Sequence, residues 1–329
     1  MKAPRLWSRP PGLTALALAP ASWVWAEVTR RRMARPPEFT APIPVICVGN
    51  LTAGGTGKTP TVIALIARLA ERGTRCAVLS RGHGGSDPGP RPVDPSDSAS
   101  ETGDEPLLLA AFAPTWIARD RAAGARAILA TDDPPDIILL DDGFQNPGLA
   151  KTASVLVFDS GAGLGNASVI PAGPLREPVQ AGLARADHAI FIGTEAETDA
   201  VLAKHPELAA LPRTHARLAP VATGMPWQGM RVLAFAGIGR PEKFFATLRS
   251  LGVEIAATRA FADHAPFSDA ILTRLTEEAR QLGAQLVTTE KDAVRLPQEL
   301  RTRVLTVPVR LESTDWSGID ALLSEILDR

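Results

Sequence analysis

A glycine-rich turn near residue 55 carries the residues best suited to chemistry in this sequence. The turn follows an apolar run at residues 45–48, which predicts a buried strand, and it precedes an amphipathic helical pattern from Pro60 to about Arg72. Glycines let backbone N–H groups converge on phosphate oxygens, and the N-terminus of a helix adds positive potential. A strand, a glycine-rich loop ending in Gly-Lys-Thr and a helix therefore predict a phosphate-binding P-loop.

Side chains at the end of this loop indicate which ligand it would hold. Lys58 can reach the outer phosphates of a nucleoside triphosphate, and the hydroxyl group of Thr59 can ligate magnesium. Thr52 stands where the usual pattern has its first glycine, and a plain glycine-rich turn is the alternative. We expect ATP and Mg2+ as cofactors, in contact with Thr52, Ala53, Gly54, Gly55, Thr56, Gly57, Lys58 and Thr59.

Two adjacent carboxylates follow a second apolar run. Residues 137–140 are aliphatic and lead into Asp141 and Asp142, which is the form of a Walker B strand. Open α/β sheets bind ligands at the carboxyl ends of their strands. Two carboxylates side by side at that edge are costly without a cation, so magnesium is the expected partner of Asp141. The alternative is a solvated Asp-Asp-Gly turn.

A kinase must also activate the hydroxyl group that accepts the phosphate. An isolated aspartate, with a pKa of about 3.9, is a weak base at neutral pH, and pairing with a histidine moves the effective pKa towards the working range. The candidates are Asp104, at the end of a long loop, and His264, in an Asp-His turn. Their meeting across a cleft is a hypothesis, because Asp104 also fits the N-cap of a helix.

Alternating strands and helices must position these residues. Further apolar strands are predicted at 76–79, 154–159 and 188–192, separated by helices or loops. This alternation predicts an α/β fold in which a mostly parallel sheet of the P-loop NTPase type is flanked by helices. A second strand–helix series follows, so we expect a P-loop domain at 36–225 and a smaller α/β domain at 226–329.

The N-terminal segment is apolar and flanked by cations. Residues 11–26 contain no charge, but Pro20 interrupts them, and they are shorter than the roughly 20 apolar residues that span a bilayer. Tryptophans in an apolar stretch with arginines on both sides favour a helix lying in the membrane interface, within residues 1–35. An ordinary core helix and a secretory signal peptide are the alternatives.

Composition limits the remaining classes. Hydrophobic content of 45% excludes global disorder. The net charge of −1 argues against a generic nucleic-acid binder, although the first 35 residues hold seven basic side chains and one acid. Cys47 and Cys76 both fall in predicted buried strands, so we interpret them as small core residues in a reducing compartment.

Taken together and in order, these motifs resemble those of the tetraacyldisaccharide 4'-kinase (lipid A kinase) family. The resemblance covers about residues 7–310. It rests on the P-loop at 50–60, Ser80-Arg81-Gly82-His83-Gly84, Gly103-Asp104-Glu105-Pro106, Asp141-Asp142-Gly143-Phe144-Gln145, Pro171-Ala172-Gly173-Pro174-Leu175-Arg176-Glu177, Gly237-Ile238-Gly239-Arg240-Pro241, Asp263-His264 and Thr289-Glu290-Lys291-Asp292.

The resemblance implies transfer of the γ-phosphate of ATP to the 4'-hydroxyl group of an acylated glucosamine disaccharide phosphate embedded in a membrane. It implies that Lys58 and Thr59 hold phosphates and magnesium and that Asp141 is the Walker acid. It further implies that Asp104 is the catalytic base, with His264 as its partner. The residues implied in headgroup binding, or in support of it, are Arg81, Asp142, Gln145, Arg176, Glu177 and Asp263.

The resemblance also implies a location and a set of partners. It places the chain on the cytoplasmic face of a Gram-negative inner membrane, seated through residues 5–35, with a lipid substrate. No nucleic acid and no obligate protein partner is expected. Three positions depart from the family pattern: His83 where Tyr is usual, Asn146 in place of a frequent His, and Ala265 where a second His is common. These departures affect secondary contacts, because His264 is retained.

Other classes fit less well. Membrane-cycling switch ATPases carry a signature lysine at the position of Ala53, and their membrane-seeking segment is C-terminal. A GTPase would need an Asn-Lys-x-Asp motif after a late strand, and this sequence has none. A kinase of a soluble small molecule remains possible on the P-loop alone, and the cationic N-terminal segment argues against it. For Arg176 and Glu177 the alternative is an exposed ion pair on a surface loop.

Overall fold

Strands of two separate sheets form the framework of residues 4–328, the part of the chain that the computed structural model describes. Residues 1–3 and residue 329, which belong to the predicted terminal segments, lie outside this range. In chain order the strands are β1 (Val45–Gly49), β2 (Cys76–Ser80), β3 (Arg91–Pro92), β4 (Thr115–Ile117), β5 (Ile137–Asp141), β6 (Ala153–Asp159), β7 (His188–Ile192), β8 (Arg213–Pro220), β9 (Arg231–Ala236), β10 (Glu254–Ala260), β11 (Gln285–Thr289), β12 (Leu305–Val307) and β13 (Val309–Glu312).

Helices cover the sheets and connect their strands. In chain order they are α1 (Leu13–Met33), α2 (Lys58–Glu71), α3 (Ala99–Thr102), α4 (Asp104–Leu109), α5 (Arg121–Leu129), α6 (Val179–Leu183), α7 (Glu195–Lys204), α8 (Pro241–Ser250), α9 (Asp269–Gln281), α10 (Glu290–Ala293), α11 (Gln298–Arg301) and α12 (Ser317–Leu327). Short 3₁₀ turns occur at Arg5–Ser8 and Pro206–Ala210.

The larger sheet has nine strands in the order β13-β8-β7-β6-β1-β5-β2-β4-β3. Its neighbours pair in parallel except at the two edges, where β13 and β3 are antiparallel to β8 and β4. The central strands β1, β5, β6 and β7 are buried along their whole length, as expected for a sheet covered on both faces. The predicted α/β fold with a mostly parallel sheet is therefore confirmed.

The centre of this sheet positions the candidate site. Val48 in β1 lies opposite Asp141 in β5, so the P-loop after β1 and the acid pair at the end of β5 reach the same edge. The chain leaves β1 towards β2 on one side and later occupies β6 on the other side. Ligands of open α/β sheets bind at such a change of direction.

The smaller sheet has four parallel strands in the order β10-β9-β11-β12. After β12 the chain returns to the larger sheet, where β13 pairs with β8 and α12 packs on the same core as α2. Arg68 of α2 and Arg72, which follows the helix, hold Asp320 of α12 in two ion pairs, the second at 2.8 Å. The division at residue 225 stays a prediction, and these pairings assign residues 309–327 to the first sheet.

Helix α1 runs through Pro20 and presents two different faces. Ala15, Ser22 and Thr29, which recur every seven residues, are buried against the protein. The hydroxyl group of Ser22 donates to the carbonyl oxygen of Val169 at 2.7 Å and accepts from the amide of Ala172 at 3.1 Å. Among residues 4–328, no helix is long and apolar enough to cross a bilayer.

The long loop that the sequence predicted before Asp104 contains regular structure. Residues 85–102 show no apolar periodicity, yet they include β3 and α3 and are organised by Arg91, which pairs with Asp87 and Asp97. The alternative of an N-cap at Asp104 is wrong. Gly103 is the N-cap and Asp104 is the first residue of α4, because its side chain is engaged elsewhere.

Candidate active site

The P-loop begins where β1 ends and is braced from below. The side-chain amide of buried Asn50 donates to the carbonyl oxygen of Thr52 at 2.8 Å, and Ala53 donates to Pro174 at 2.8 Å. Gly57, which precedes α2, has a φ of 96°. A Cβ atom at this position would lie 2.5 Å from the side chain of Ile192. Position 57 therefore requires glycine on both conformational and steric grounds.

Two P-loop side chains in the first turn of α2 are drawn into the site. Lys58 and Thr59 are both buried, although each carries a polar tip. The Lys58 ammonium group lies 3.7 Å from a carboxylate oxygen of Asp142. The hydroxyl group of Thr56 is buried and has no hydrogen-bond partner among residues 4–328. Polar groups left unmatched at a helix N-terminus suit an anionic ligand.

The environment of Asp141 fits a carboxylate that ligates a cation. It is 1% exposed, and one oxygen accepts a 3.2 Å hydrogen bond from Ser80. The other oxygen is buried and unmatched within the described part of the chain. Burial, with the charges of Glu105 and Asp142, raises the pKa of Asp141 to about 7. A buried carboxylate with a free oxygen next to the P-loop fits Mg2+, which takes one or two carboxylates together with phosphate oxygens.

Asp142 belongs to an ion-pair network. Its oxygens accept from the Arg176 guanidinium group at 2.7 and 3.2 Å. Arg176 also donates to Gln145 at 3.2 Å, and Gln145 donates to Glu177 at 2.9 Å. Burial opposes ionisation of Asp142, yet the charges of Lys58 and Arg176 lower its pKa to about 2. The network therefore links Lys58 of the P-loop to the loop at residues 171–177.

The two candidate acid–base residues meet. Nδ1 of His264 lies 3.0 and 2.9 Å from the carboxylate oxygens of Asp104. Asp104 is 3% exposed and the His264 side chain 28% exposed. Burial opposes the charged form of Asp104, but the hydrogen bond from His264 and the charges of Lys291 and Arg295 lower its pKa. The hydrogen bond to Asp104 in turn raises the pKa of His264.

Buried ionic contacts hold the His264 loop in place. His264 has a φ of 57°, a left-handed conformation that costs energy for a residue with a Cβ atom. Arg295 offsets this cost by donating hydrogen bonds to the carbonyl oxygens of Ala265 at 2.9 Å and Gly237 at 2.8 Å. Asp292 accepts from the amide of Gly237 at 3.1 Å and pairs with Arg295. A residue held in a strained backbone conformation by several contacts is a feature of functional sites.

The remaining sequence-predicted residues lie around this centre. Asp263 is 3.7 Å from Nε2 of His264. Glu177 pairs with Arg185, and it is buried, so the alternative of an exposed ion pair on a surface loop does not describe it. Arg81 is exposed just after β2. Burial, and then the charge of Arg81, lowers the pKa of Arg121 beneath it.

The three unusual positions occupy secondary contacts. The ring of His83 packs edge-on against that of His264, with 5.6 Å between centroids. Ala265 contributes its carbonyl oxygen to Arg295. Asn146 accepts from the amide of Gly148 at 2.9 Å within its own turn.

A cleft of about 940 Å³ separates the P-loop from the second sheet. Gly239 of the second sheet's loop approaches the P-loop at the side of this cleft. A Cβ atom at position 239 would lie 3.9 Å from the amide nitrogen of Gly55. The cleft has a cationic floor at Lys58 and an apolar wall, and its volume is that of a small-molecule site. The apolar wall includes Ile63, Leu108, Ile192, Phe244, Val307 and Val309. The space suits a nucleotide whose phosphates lie on the P-loop.

Fold and site together define a P-loop nucleotide-binding protein in which an Asp–His contact joins α4 to the loop after β10. Comparison with known proteins narrows this class. A family model described as tetraacyldisaccharide-1-P 4'-kinase matches residues 14–328. The chain belongs to the tetraacyldisaccharide-1-P 4'-kinase family.

Individual relatives agree with this assignment. The chain is 55% identical to a tetraacyldisaccharide 4'-kinase of Dinoroseobacter shibae, over 99% of this chain and 98% of that protein. It is 50% identical to one of Jannaschia sp., over the full length of both. Among solved structures it resembles LpxK from Aquifex aeolicus in complex with ATP, with a TM-score of 0.76, 26% identity, and 96% and 100% of the two chains covered.

Sequence reasoning missed the residues that support the acid–base pair. Glu105, Lys291 and Arg295 form its charged surroundings, and Asn50 braces the P-loop. Glu105 and Lys291 stood inside quoted motifs without a role. Arg295 follows one of those motifs, and a basic residue three positions after Asp292 was the available signal.

Proposed function

We propose that this chain transfers the γ-phosphate of ATP to the 4'-hydroxyl group of an acylated glucosamine disaccharide 1-phosphate, a step of lipid A biosynthesis. One observation carries the kinase part of the proposal, namely the contact between Asp104 and His264 beside the P-loop. A switch ATPase needs no such base, whereas a kinase must activate a hydroxyl group. The names of the relatives support the identity of the acceptor.

The donor half of the site would hold ATP and magnesium. Gly55, Thr56 and Gly57 line the cleft and would surround the phosphates, with Lys58 neutralising the outer ones. Thr52, Ala53 and Gly54 precede them in the same loop and would complete the phosphate site. Thr59 and Asp141 would hold Mg2+, which supplies charge neutralisation for the transferred group. Positioning and charge neutralisation supply most of the catalysis in phosphoryl transfer.

In this geometry His264 is the better proton acceptor. The oxygens of Asp104 are buried and occupied by His264, with Arg295 3.4 Å from one of them. Nε2 of His264 instead faces Lys291 and Asp263, which line the cleft. We therefore assign the base to His264 and the orienting role to Asp104, the reverse of the assignment that the resemblance implies. The reason is the burial of the carboxylate.

The reaction then balances as follows. The 4'-hydroxyl proton passes to Nε2 of His264, and the 4'-oxygen forms a bond to the γ-phosphorus. The bond from the γ-phosphorus to the bridging oxygen breaks, which releases ADP. The carboxylate of Asp104 stabilises the imidazolium ion that forms.

The acceptor half would lie along the network of Asp142, Gln145, Arg176 and Glu177. The indole N–H of Trp25 donates to the carbonyl oxygen of Arg176 at 3.0 Å, which joins this network to α1. Arg81, exposed near the same edge, would add a cation for the sugar phosphate. In this proposal the residues that bind the headgroup lie between α1 and the P-loop.

Helix α1 would seat the enzyme on the membrane. The face opposite its buried residues exposes a stripe of large apolar side chains, which are Leu13 (86% exposed), Leu16 (70%), Trp23 (71%), Val24 (54%) and Val28 (60%). Its last turn carries Arg30, Arg31 and Arg32, which suit anionic headgroups. Because ATP is cytosolic, we propose the cytoplasmic face of the bacterial inner membrane. We expect the lipid substrate as the remaining partner, and we expect no nucleic acid.

An acceptor assay tests this proposal. The protein is incubated with γ-labelled ATP, Mg2+ and the acylated disaccharide 1-phosphate in detergent, beside the deacylated disaccharide phosphate. We expect label in the acylated lipid, and loss of that label in Lys58→Ala. Release of inorganic phosphate without labelled lipid would indicate a switch ATPase. Labelling of the deacylated sugar alone would indicate a soluble-substrate kinase, and either result contradicts the proposal.

A further inference from the structure

Lys291 lies where the proposed base meets the nucleotide cleft. Its ammonium nitrogen is 2.8 Å from a carboxylate oxygen of Glu105 and 3.3 Å from Nε2 of His264. The side chain is 20% exposed and lines the cleft that Lys58 also lines. So far this residue has been described only as part of the charged surroundings of Asp104 and His264.

The hydrogen-bonding capacity of these groups fixes their direction. An ammonium group can only donate, so Nε2 of His264 must accept with its lone pair. A neutral imidazole then carries its proton on Nδ1, which donates to Asp104 at 2.9 Å. In this arrangement Lys291 therefore occupies the lone pair to which the 4'-hydroxyl proton would transfer.

Carboxylates on two elements favour the protonated form of His264. Asp104 in α4 contacts Nδ1 at 2.9 Å, and Asp263 in the same loop lies 3.7 Å from Nε2. The carboxylate of Glu105, the next residue of α4, accepts a hydrogen bond from Lys291. The hydrogen bond to Asp104 is the main reason why the pKa of His264 is raised.

Cations on the facing element oppose that protonation. Burial lowers the pKa of the Lys291 ammonium group, but the charges of Glu105, Asp104 and Asp263 outweigh it and raise this pKa, so Lys291 stays cationic. Its charge acts against a second positive charge on His264. Arg295 lies 3.4 Å from the Asp104 carboxylate and reduces its effect on His264. His83, in the loop after β2, also packs edge-on against the His264 ring, with 5.6 Å between centroids.

We propose that Lys291 is a positioning residue that occupies Nε2 of His264 until the γ-phosphate of ATP draws its ammonium group away, which makes the base available when the donor is in place. This inference rests on the proposed function of His264 as proton acceptor. It goes beyond that function by coupling the base to the nucleotide.

The cleft supplies a reason for Lys291 to move. A triphosphate on the P-loop brings several negative charges into the cleft that Lys291 lines, and its ammonium group sits on a flexible four-carbon stem. A phosphate oxygen is a stronger partner for an ammonium group than a neutral imidazole nitrogen, because the bond is charge-assisted. Once Lys291 turns to phosphate, Nε2 can accept the 4'-hydroxyl proton, and Asp104 balances the charge.

Titration of His264 by ¹H–¹⁵N NMR tests this coupling directly. The chain has five histidines, so the His264 signal can be assigned from its loss in His264→Gln. In Lys291→Met without nucleotide we expect the pKa of His264 to be about one unit higher than in the unmodified protein. Adding Mg2+ and a β,γ-methylene ATP analogue should raise this pKa more in the unmodified protein than in Lys291→Met.

Two variants control this titration. Lys291→Arg keeps the charge and should titrate close to the unmodified protein. Lys243→Met makes the same substitution at another cleft lysine, which pairs with Asp159 at 2.9 Å, and should leave the pKa of His264 unchanged. A near-ultraviolet circular dichroism spectrum equal to that of the unmodified protein shows that Lys291→Met is folded.

The outcomes separate this inference from the proposed function. An equal His264 pKa in Lys291→Met and in the unmodified protein would overturn the role of Lys291. So would an equal shift on adding nucleotide. The titration needs no lipid acceptor, so its result stands whichever substrate the enzyme uses. Undiminished turnover of His264→Gln would instead contradict the base assignment itself.

Discussion

At the scale of single residues, the proposed proton transfer depends on the charges that surround His264. Asp104 pulls His264 towards protonation, whereas Lys291 and Arg295 restrain it. The buried carboxylate costs free energy unless it is paired, and His264 pairs it. If His264 is the base, as we propose, its strength is set by residues that come from both parts of the molecule.

Replacing either member of the pair should affect chemistry and spare nucleotide binding. We expect His264→Gln and Asp104→Asn each to lower turnover by about 10²- to 10⁴-fold, the usual contribution of a positioned acid–base group. Affinity for ATP, measured by calorimetry, should stay close to that of the unmodified protein. Near-normal turnover in both variants would show that neither residue takes part in proton transfer.

The pH dependence of kcat/KM should report the same pair. A base works unprotonated, and the pKa of His264 lies above its ordinary value near 6.5, so the rate should be full above that raised pKa and fall as the pH drops below it. In Asp104→Asn the group that raises the pKa is gone. The acid limb should therefore move to lower pH, and a limb that stays in place would contradict the assignment.

Residue types alone could nominate this site but not assemble it. The P-loop and the acid pair are local patterns, so their sequences predict their positions. Asp104 and His264 are 160 residues apart, and their contact depends on how the second sheet docks on the first. The support from Arg295 depends on a left-handed turn at His264, which no spacing rule predicts for that residue type.

At the scale of elements, α1 is the part whose surface least resembles that of a soluble protein. Its buried face is made of small residues, of which Ser22 bonds to the loop at 169–172, and its outer face exposes apolar side chains. The sequence predicted an N-terminal helix lying in the membrane interface, but not which face packs on the protein. That choice follows from Ser22, whose hydroxyl group bonds to two backbone positions.

Charges placed on the outer face of α1 should weaken membrane binding. We expect Val24→Glu with Val28→Glu to reduce co-sedimentation with vesicles of phosphatidylethanolamine and phosphatidylglycerol by at least about tenfold, since each valine contributes about 1.5–3 kcal/mol when buried. Turnover of the lipid should fall in parallel while ATP affinity is kept. Val221→Glu, at an exposed valine outside α1, is the matched control.

Equal co-sedimentation of the double variant and the control would show that α1 does not seat the protein on the bilayer. Loss in both variants would point to general misfolding or added negative charge as the cause.

At the scale of the whole molecule, the two sheets share the chain unequally. Residues 309–327 cross back from the second sheet to complete the first, where β13 forms its edge and α12 covers α2. The sequence predicted two α/β units because each shows its own strand–helix alternation. It could not predict the return, because a short edge strand and one amphipathic helix look alike in either unit.

Leu323→Ala should therefore destabilise the first sheet. Leu323 is 1% exposed in the core shared by α2 and α12, and its truncation should cost about 2–5 kcal/mol. Hydrogen exchange should show lost protection at Val48 in β1 and little change at Leu233 in β9. Leu322→Ala, at the half-buried neighbouring position, should cost less. Lost protection confined to β9 would place α12 with the second sheet.

The most direct test of the account is the position of the phosphate in the product. The acylated disaccharide 1-phosphate is converted with ATP and Mg2+ in detergent, and the lipid is analysed by ¹H–³¹P correlation NMR. The account predicts one new phosphate on the 4' carbon of the distal glucosamine for each ADP formed, and none with His264→Gln on the same timescale. A phosphate at another position, or ADP formed without phosphorylated lipid, would contradict it.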